Sequence, residues 1–221
     1  MILSSLCWMK FEEALFLFSL KNVSFQDILS YPDIQIPQGK TTFICGESGC
    51  GKSTMLKLLN AVISPSSGVI TYAGKDIATL DPITLRREVL LVGQNSYLLD
   101  LSIRENFHAF AAYRDMKPIS DEMMTAYLSA CSLTLSLDSS CTLLSGGERQ
   151  RVFIAIHLSL QPKVLMMDEP TSALDDKNAQ ALMENITSYC KEKDMTLIVV
   201  SHDKGIAERY ADHTISLGGH T

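Results

Sequence analysis

The nine residues GESGCGKST at positions 46–54 constrain this chain more than any other stretch. They stand between an apolar run, TTFIC at 41–45, and the segment MLKLLNAV at 55–62. Glycine and serine gather at any tight turn, where unusual backbone angles are needed. A turn alone does not ask for Lys52 and Ser53 directly after the last glycine. The order G-x-x-x-x-G-K-[ST] is the one that wraps backbone N–H groups around phosphates. The flanks agree: TTFIC predicts a buried strand, and Met55, Leu58, Leu59 and Val62 recur at helical spacing as one apolar stripe. A helix starting at the loop would add the partial positive charge of its N-terminus. Gly46, Glu47, Ser48, Gly49, Cys50, Gly51, Lys52, Ser53 and Thr54 are therefore expected to cradle nucleotide phosphates.

Around this loop the chain alternates apolar strands with helices. LFLFSLKNVSF at 15–25 has strand character, and VITYA, between Pro, Ser and Gly breakers, predicts an antiparallel excursion. LLVGQ at 90–94, VLMMD at 164–168 and TLIVVSH at 196–202 read as further strands. From 95 to 145 the texture is helical, with ENFHAFAAY and then DEMMTAYLSACSL, for which Ser120 is the expected N-cap. Ala179, Leu182, Met183, Ile186 and Cys190 form another helical stripe. Near-continuous apolar strands separated by helices imply an α/β fold with a mostly parallel sheet covered on both faces.

With 221 residues, 46% of them hydrophobic, the chain is expected to build one main core. A net charge of -6, with Lys and Arg scattered, disfavours nucleic acid as the main partner. The six cysteines, at 7, 45, 50, 131, 141 and 190, show no CxxC spacing, so neither a zinc site nor a disulfide framework is expected. No stretch reaches the ~18 apolar residues of a membrane span. The start, MILSSLCWMKFEEALFLF, lacks a basic leader region and is broken by Lys10, Glu12 and Glu13. It reads as an extension before the first strand, with Met9 an alternative start to Met1.

Two further groups carry chemistry. Asp168 and Glu169 end the apolar strand VLMMD, at the carboxyl edge where open α/β sheets bind ligands. Beside a phosphate loop, an acid in that position partners Mg²⁺, for which hard oxygen ligands are suited. Asp168 would hold the metal through water and Ser53 directly, while Glu169 could take a proton from an attacking water. In LLSGGERQR at 143–151, Ser145 and Glu148 have capping-box spacing at the start of a helix. Such a start is also a site for a γ-phosphate.

In order, GESGCGKS, Gln94, LSGGE at 144–148, MMDEP, SALD at 172–175 and His202 span roughly residues 18–217, and in this order the chain resembles the ATP-binding cassette (ABC) ATPases. The resemblance implies a P-loop NTPase with a RecA-like core, an antiparallel β subdomain and an inserted helical subdomain. It places the core at 18–95 and 146–217, the helical subdomain at 96–145, an extension at 1–17 and a tail at 218–221. It implies two such subunits packed head to tail, with ATP and Mg²⁺ between the phosphate loop of one and the signature Ser145, Gly146, Gly147 and Glu148 of the other. Gln94 would contact metal and lytic water, His202 the γ-phosphate, and Asp175 would mark the D-loop. Two positions depart from the family pattern. Asp27 stands where an adenine-stacking aromatic is expected, with Phe25 or Tyr31 as substitutes, and Ile156 stands where an Arg is common.

Transport is the expected role. SYLLDLSIRENF at 96–107 is similar to the family's segment that meets an integral membrane permease. ISPSSG, SALDD and VVSHDKGIAERYAD are similar to small single-cassette exporter subunits of the iron-export type. The expected place is cytoplasmic, peripheral on the inner face of the cell membrane. The alternative is a cassette acting on DNA or ribosomes, commonly a longer chain with basic surfaces.

Overall fold

A computed structural model describes residues 16–26 and 28–218, so Asp27, the first 15 residues and the last three lie outside it. In chain order the strands are β1 (Phe16–Phe25), β2 (Leu29–Ser30), β3 (Ile34–Pro37), β4 (Thr41–Gly46), β5 (Ser67–Tyr72), β6 (Lys75–Asp76), β7 (Val89–Val92), β8 (Val164–Asp168), β9 (Thr196–Val200) and β10 (His213–Leu217). The helices are α1 (Lys52–Leu59), α2 (Pro82–Glu88), α3 (Ile103–Ala112), α4 (Asp121–Ala130), α5 (Gly146–Ser159), α6 (Asp176–Glu192) and α7 (Lys204–Tyr210).

Two sheets result. The central one has the order β10-β4-β9-β8-β7, with every neighbouring pair parallel. The other is antiparallel, in the order β2-β1-β5-β6 with β3 also on β1. The period of two along a strand divides the core. Leu165, Met167, Leu197 and Val199 point to one side, where they pack with α3, α4, α5 and α6. Val164, Met166, Ile198 and Val200 point to the other, against α1 and the antiparallel sheet through Phe18, Leu20, Ile36 and Ile70. Both faces of β8 and β9 are thus dry, which is why their sequences are continuous apolar runs.

The stripe expected on α6 is the buried set of that helix, Ala179, Leu182, Met183, Ile186 and Cys190. The stripe on α1 is shorter than expected. Met55, Leu58 and Leu59 are buried, but the helix stops at Leu59 and Ala61 takes a left-handed φ of 52°. Val62 consequently leaves the helix face and is exposed. Ser120 accepts a hydrogen bond from the Met123 N–H and caps α4, as its position predicts. Ile156 is fully buried on α5, in the core shared with the helical segment.

His157 closes that core. Its Nδ1 lies 2.7 Å from the Phe153 carbonyl, and its ring packs edge-on to Phe110 and Phe153. Burial pushes the imidazole down to about 4. Between that value and the ordinary ~6.5 the unfolded chain binds the extra proton, so this group's stability is complete above the upper value and lost as pH falls towards the lower. The swing is on the order of 3 kcal/mol. Urea midpoints measured from pH 7 to 4.5 should fall more steeply for wild type than for His157→Leu; equal slopes would contradict the burial of a neutral ring.

Candidate functional site

The carboxyl ends of β4, β8 and β9 open onto a cleft of about 430 Å³ lined by Ser48, Gly49, Gly51, Lys52, Ser53, Thr54, Gln94, Asp168, Glu169 and His202. Residues separated by more than a hundred positions meet here because the parallel order β4-β9-β8-β7 brings the strand ends together. Gln94 lies two residues beyond the end of β7, on an exposed turn rather than on the strand expected for it.

The loop is built for an anion. Gly51 precedes α1 in a left-handed conformation, φ 95°, and among the described residues no side chain caps the helix. The N–H groups of Lys52, Ser53 and Thr54 therefore have no partner within the helix. A side chain at Gly51 would also meet the Tyr31 hydroxyl at 2.8 Å and Leu29 at 2.9 Å. Lys52 is buried, and its Nζ donates to the carbonyls of Gly46 and Glu47, both at 2.8 Å. The ammonium thus bridges two carbonyls of the loop, and Lys52 lines the same cleft as Ser53 and Thr54.

Tyr31 does not offer the exposed face a base would stack on. It is buried, its hydroxyl donates to the Gly51 carbonyl at 2.9 Å, and burial pushes the phenol up to about 12. It supports the loop from below.

The acidic pair diverges. Asp168, at the end of β8, has a buried Oδ1 with no hydrogen-bond partner among the described residues. With Ser53 and Gln94 lining the same cleft, this orphaned acceptor suits a hard divalent cation, so the residues fit Mg²⁺. Glu169 then turns away with a left-handed φ of 52°, a conformation costing about 1–3 kcal/mol for such a residue. Its backbone is pinned to hold that turn: the N–H donates to Val200, and the carbonyl accepts from Gln150 Nε2 and Ser172 Oγ. The carboxylate Oε2 lies 2.8 Å from Nδ1 of the exposed His202. The geometry thus joins two groups that sequence reasoning assigned to separate partners.

The signature residues are absent from the lining of this cleft. Ser145 caps α5 and forms both bonds of a capping box with Glu148, which holds the Glu148 carboxylate below its ordinary range. A side chain at Gly147 would meet Leu174 at 2.7 Å and the Ala173 carbonyl at 3.1 Å, so this glycine lets the SALD segment lie against the signature turn. Asp175 caps α6 by accepting from the Asn178 N–H at 2.9 Å. Leu29, Ser172 and Val200 also line the cleft, and Gln150 braces it. Sequence reasoning missed all four, and only the SALD motif carried a signal for one of them, Ser172.

A family model described as "ABC transporter" matches residues 29–172. The chain belongs to the ABC transporter family. It is 34% identical over 209 residues to the "Probable iron export ATP-binding protein FetA" of Escherichia coli (strain K12), covering 92% of each chain. It is 38% identical over 203 residues to the "Phosphate import ATP-binding protein PstB" of Saccharolobus solfataricus, covering 86% of this chain and 78% of that one. Among solved structures, CbiO1 from Clostridium perfringens, part of an ABC transporter complex, has a TM-score of 0.80 at 28% identity, with 91% and 84% of the two chains covered. The dimeric bacterial ABC transporter cassette MJ0796 has a TM-score of 0.79 at 28% identity, with 90% and 94% covered. The expected fold, a P-loop ABC ATPase with parallel core, antiparallel sheet and helical insertion, is therefore the one observed. As a member of this family the chain binds ATP, and its activity is ATP hydrolysis coupled to transport.

Proposed function

We propose that this ABC ATPase powers a separate integral membrane permease as an exporter subunit, with iron or another metal as cargo. The observation that carries the permease reading is a set of exposed apolar side chains that follows the cleft residue Gln94 in sequence. Immediately after Gln94, Tyr97 is 74% exposed, and Leu99 and Leu101 are exposed with it. Such side chains exposed together suit a partner that buries them. Among the described residues no helix is long and apolar enough to cross a membrane, so a spanning partner would supply the pathway. The reading places the chain in the cytoplasm, peripheral to the inner face of the membrane. Near-full mutual coverage with a relative named for iron export supports a single cassette of that type, while the phosphate-import relative marks import as the competing direction. The relatives named above are transport subunits and lend no support to an action on DNA or ribosomes.

Within this reading the domain spans 18–217, with 96–145 as the helical insertion. Lys52 and the loop amides hold the β- and γ-phosphates, and Ser53, Gln94 and Asp168 hold Mg²⁺, which neutralises phosphate charge when bound. Glu169 takes a proton from water as its oxygen attacks the γ-phosphorus and the bond to the β–γ bridging oxygen breaks. His202 orients Glu169 and reaches the γ-phosphate. Ser145, Gly146, Gly147 and Glu148 act on the ATP of a second cassette, as does the D-loop at Asp175. ATP bridging two chains would close the dimer and hydrolysis would weaken it, a difference in binding that can drive a partner.

The test is to tag the chain in its native cells, solubilise membranes in mild detergent and identify what co-purifies by mass spectrometry. A multi-span protein is expected with wild type and lost with Leu101→Glu. Recovery with ribosomal proteins, with DNA or alone would sink the permease reading.

A further inference from the structure

Asn106, on α3, is fully buried, and its amide is saturated by Leu99, by the helix N-cap Ser102 and by Cys141. Its Oδ1 accepts the Leu99 N–H at 2.8 Å, and its Nδ2 donates to the carbonyls of Leu99 at 3.1 Å and Ser102 at 2.9 Å. The same Nδ2 lies 3.4 Å from Sγ of the buried Cys141. Leu99–Ser102 is the turn that presents the exposed apolar surface. Cys141 opens a short 3₁₀ turn, Cys141–Leu143, that runs directly into the signature at Leu144 and Ser145.

Main-chain bonds repeat the connection. The Cys141 N–H donates to the Leu101 carbonyl at 2.9 Å, Ile103 N–H to Ser139 at 3.0 Å and Arg104 N–H to Leu137 at 2.9 Å. The Cys141 carbonyl in turn accepts from the guanidinium of Arg149, in the first turns of α5. The exposed turn, the segment 137–141 and the start of α5 therefore form one hydrogen-bonded unit with Asn106 at its dry centre. Burying an amide is worthwhile only if its bonds are all made, because each buried group left unsatisfied keeps its full desolvation penalty. Satisfied, it fixes one register of the two segments rather than merely filling space.

We propose that Asn106 is a positioning residue for ATP hydrolysis: it fixes the signature turn relative to the 97–101 surface, so that a push on that surface is delivered to Ser145. The coupling half of this rests on the permease reading above, whereas the tie itself lies within one chain.

The test is Asn106→Ala in the full chain, assayed first without any partner. ATP affinity, set by the phosphate loop, should stay within about twofold of wild type, while kcat falls about tenfold because the opposing signature is misplaced. Amide exchange at Ile103, Arg104 and Cys141 should accelerate while that of β4 and β9 does not. ATP affinity falling in step with kcat would mark a merely structural residue, and an unchanged kcat despite faster exchange would also overturn the assignment. Arg149→Met cuts the next link of the same tie from a half-exposed position. It should show the same split, and a wild-type kcat there overturns the proposal even where Asn106→Ala does not fold. With the co-purified permease, wild-type hydrolysis should be stimulated and that of Asn106→Ala not. No stimulation of wild type would remove the coupling reading alone, leaving the isolated chain to decide on Asn106.

Discussion

Glu169→Gln should lower steady-state phosphate release by about 10²–10⁴, the range expected for loss of a general base. The substitution keeps the size of the side chain and the backbone bonds that hold residue 169 in its left-handed turn, since Val200, Gln150 and Ser172 all engage main-chain atoms. It removes the acceptor for the water proton and changes the contact with His202 from an acid to an amide. ATP binding should survive, because the phosphate loop is untouched. Phosphate release at the wild-type rate would remove Glu169 as the base.

Lys52→Ala should have the opposite profile, with nucleotide affinity lost first. Two effects add. The charged donor to the phosphates disappears, worth about 1.5–3 kcal/mol or roughly ten- to a hundredfold in affinity. The carbonyls of Gly46 and Glu47 also lose their shared partner, so the loop loses the brace that holds its ring. Calorimetric titration of wild type and variant with ATP checks this directly, and equal affinities would count against the loop as the phosphate site.

The fold was legible where one physical cause dominates. VLMM at 164–167 and LIVV at 197–200 are apolar throughout because both faces of β8 and β9 are covered, and the α6 stripe shows because one face of that helix is wet. The capping box at Ser145 and the N-cap at Ser120 were legible because capping is local chemistry. What depends on distant neighbours was not legible. Nothing near Val62 announces that Ala61 adopts a positive φ and ends α1 early. Tyr31 stood in sequence as a candidate base platform, yet its position is set by a hydroxyl bond to Gly51, twenty residues away. Asn106 reads as an ordinary helix residue until Leu99 and Cys141 are folded against it. The candidate site divides in the same way. Its members were named by motif order, whereas the contact of His202 with Glu169, the orphaned oxygen of Asp168 and the bracing by Gln150 come only from tertiary structure.

Ser145 and Gly147 do not line the cleft of their own chain, and we propose that ATP completes its site across two chains. Sedimentation velocity of the Glu169→Gln protein, with and without ATP and Mg²⁺, distinguishes one chain from two. The expected result is a monomer without nucleotide and a species of twice the mass with it, reverting to monomer when Ser145→Arg is added. A monomer at saturating ATP, or a dimer indifferent to nucleotide and to Ser145, would contradict it.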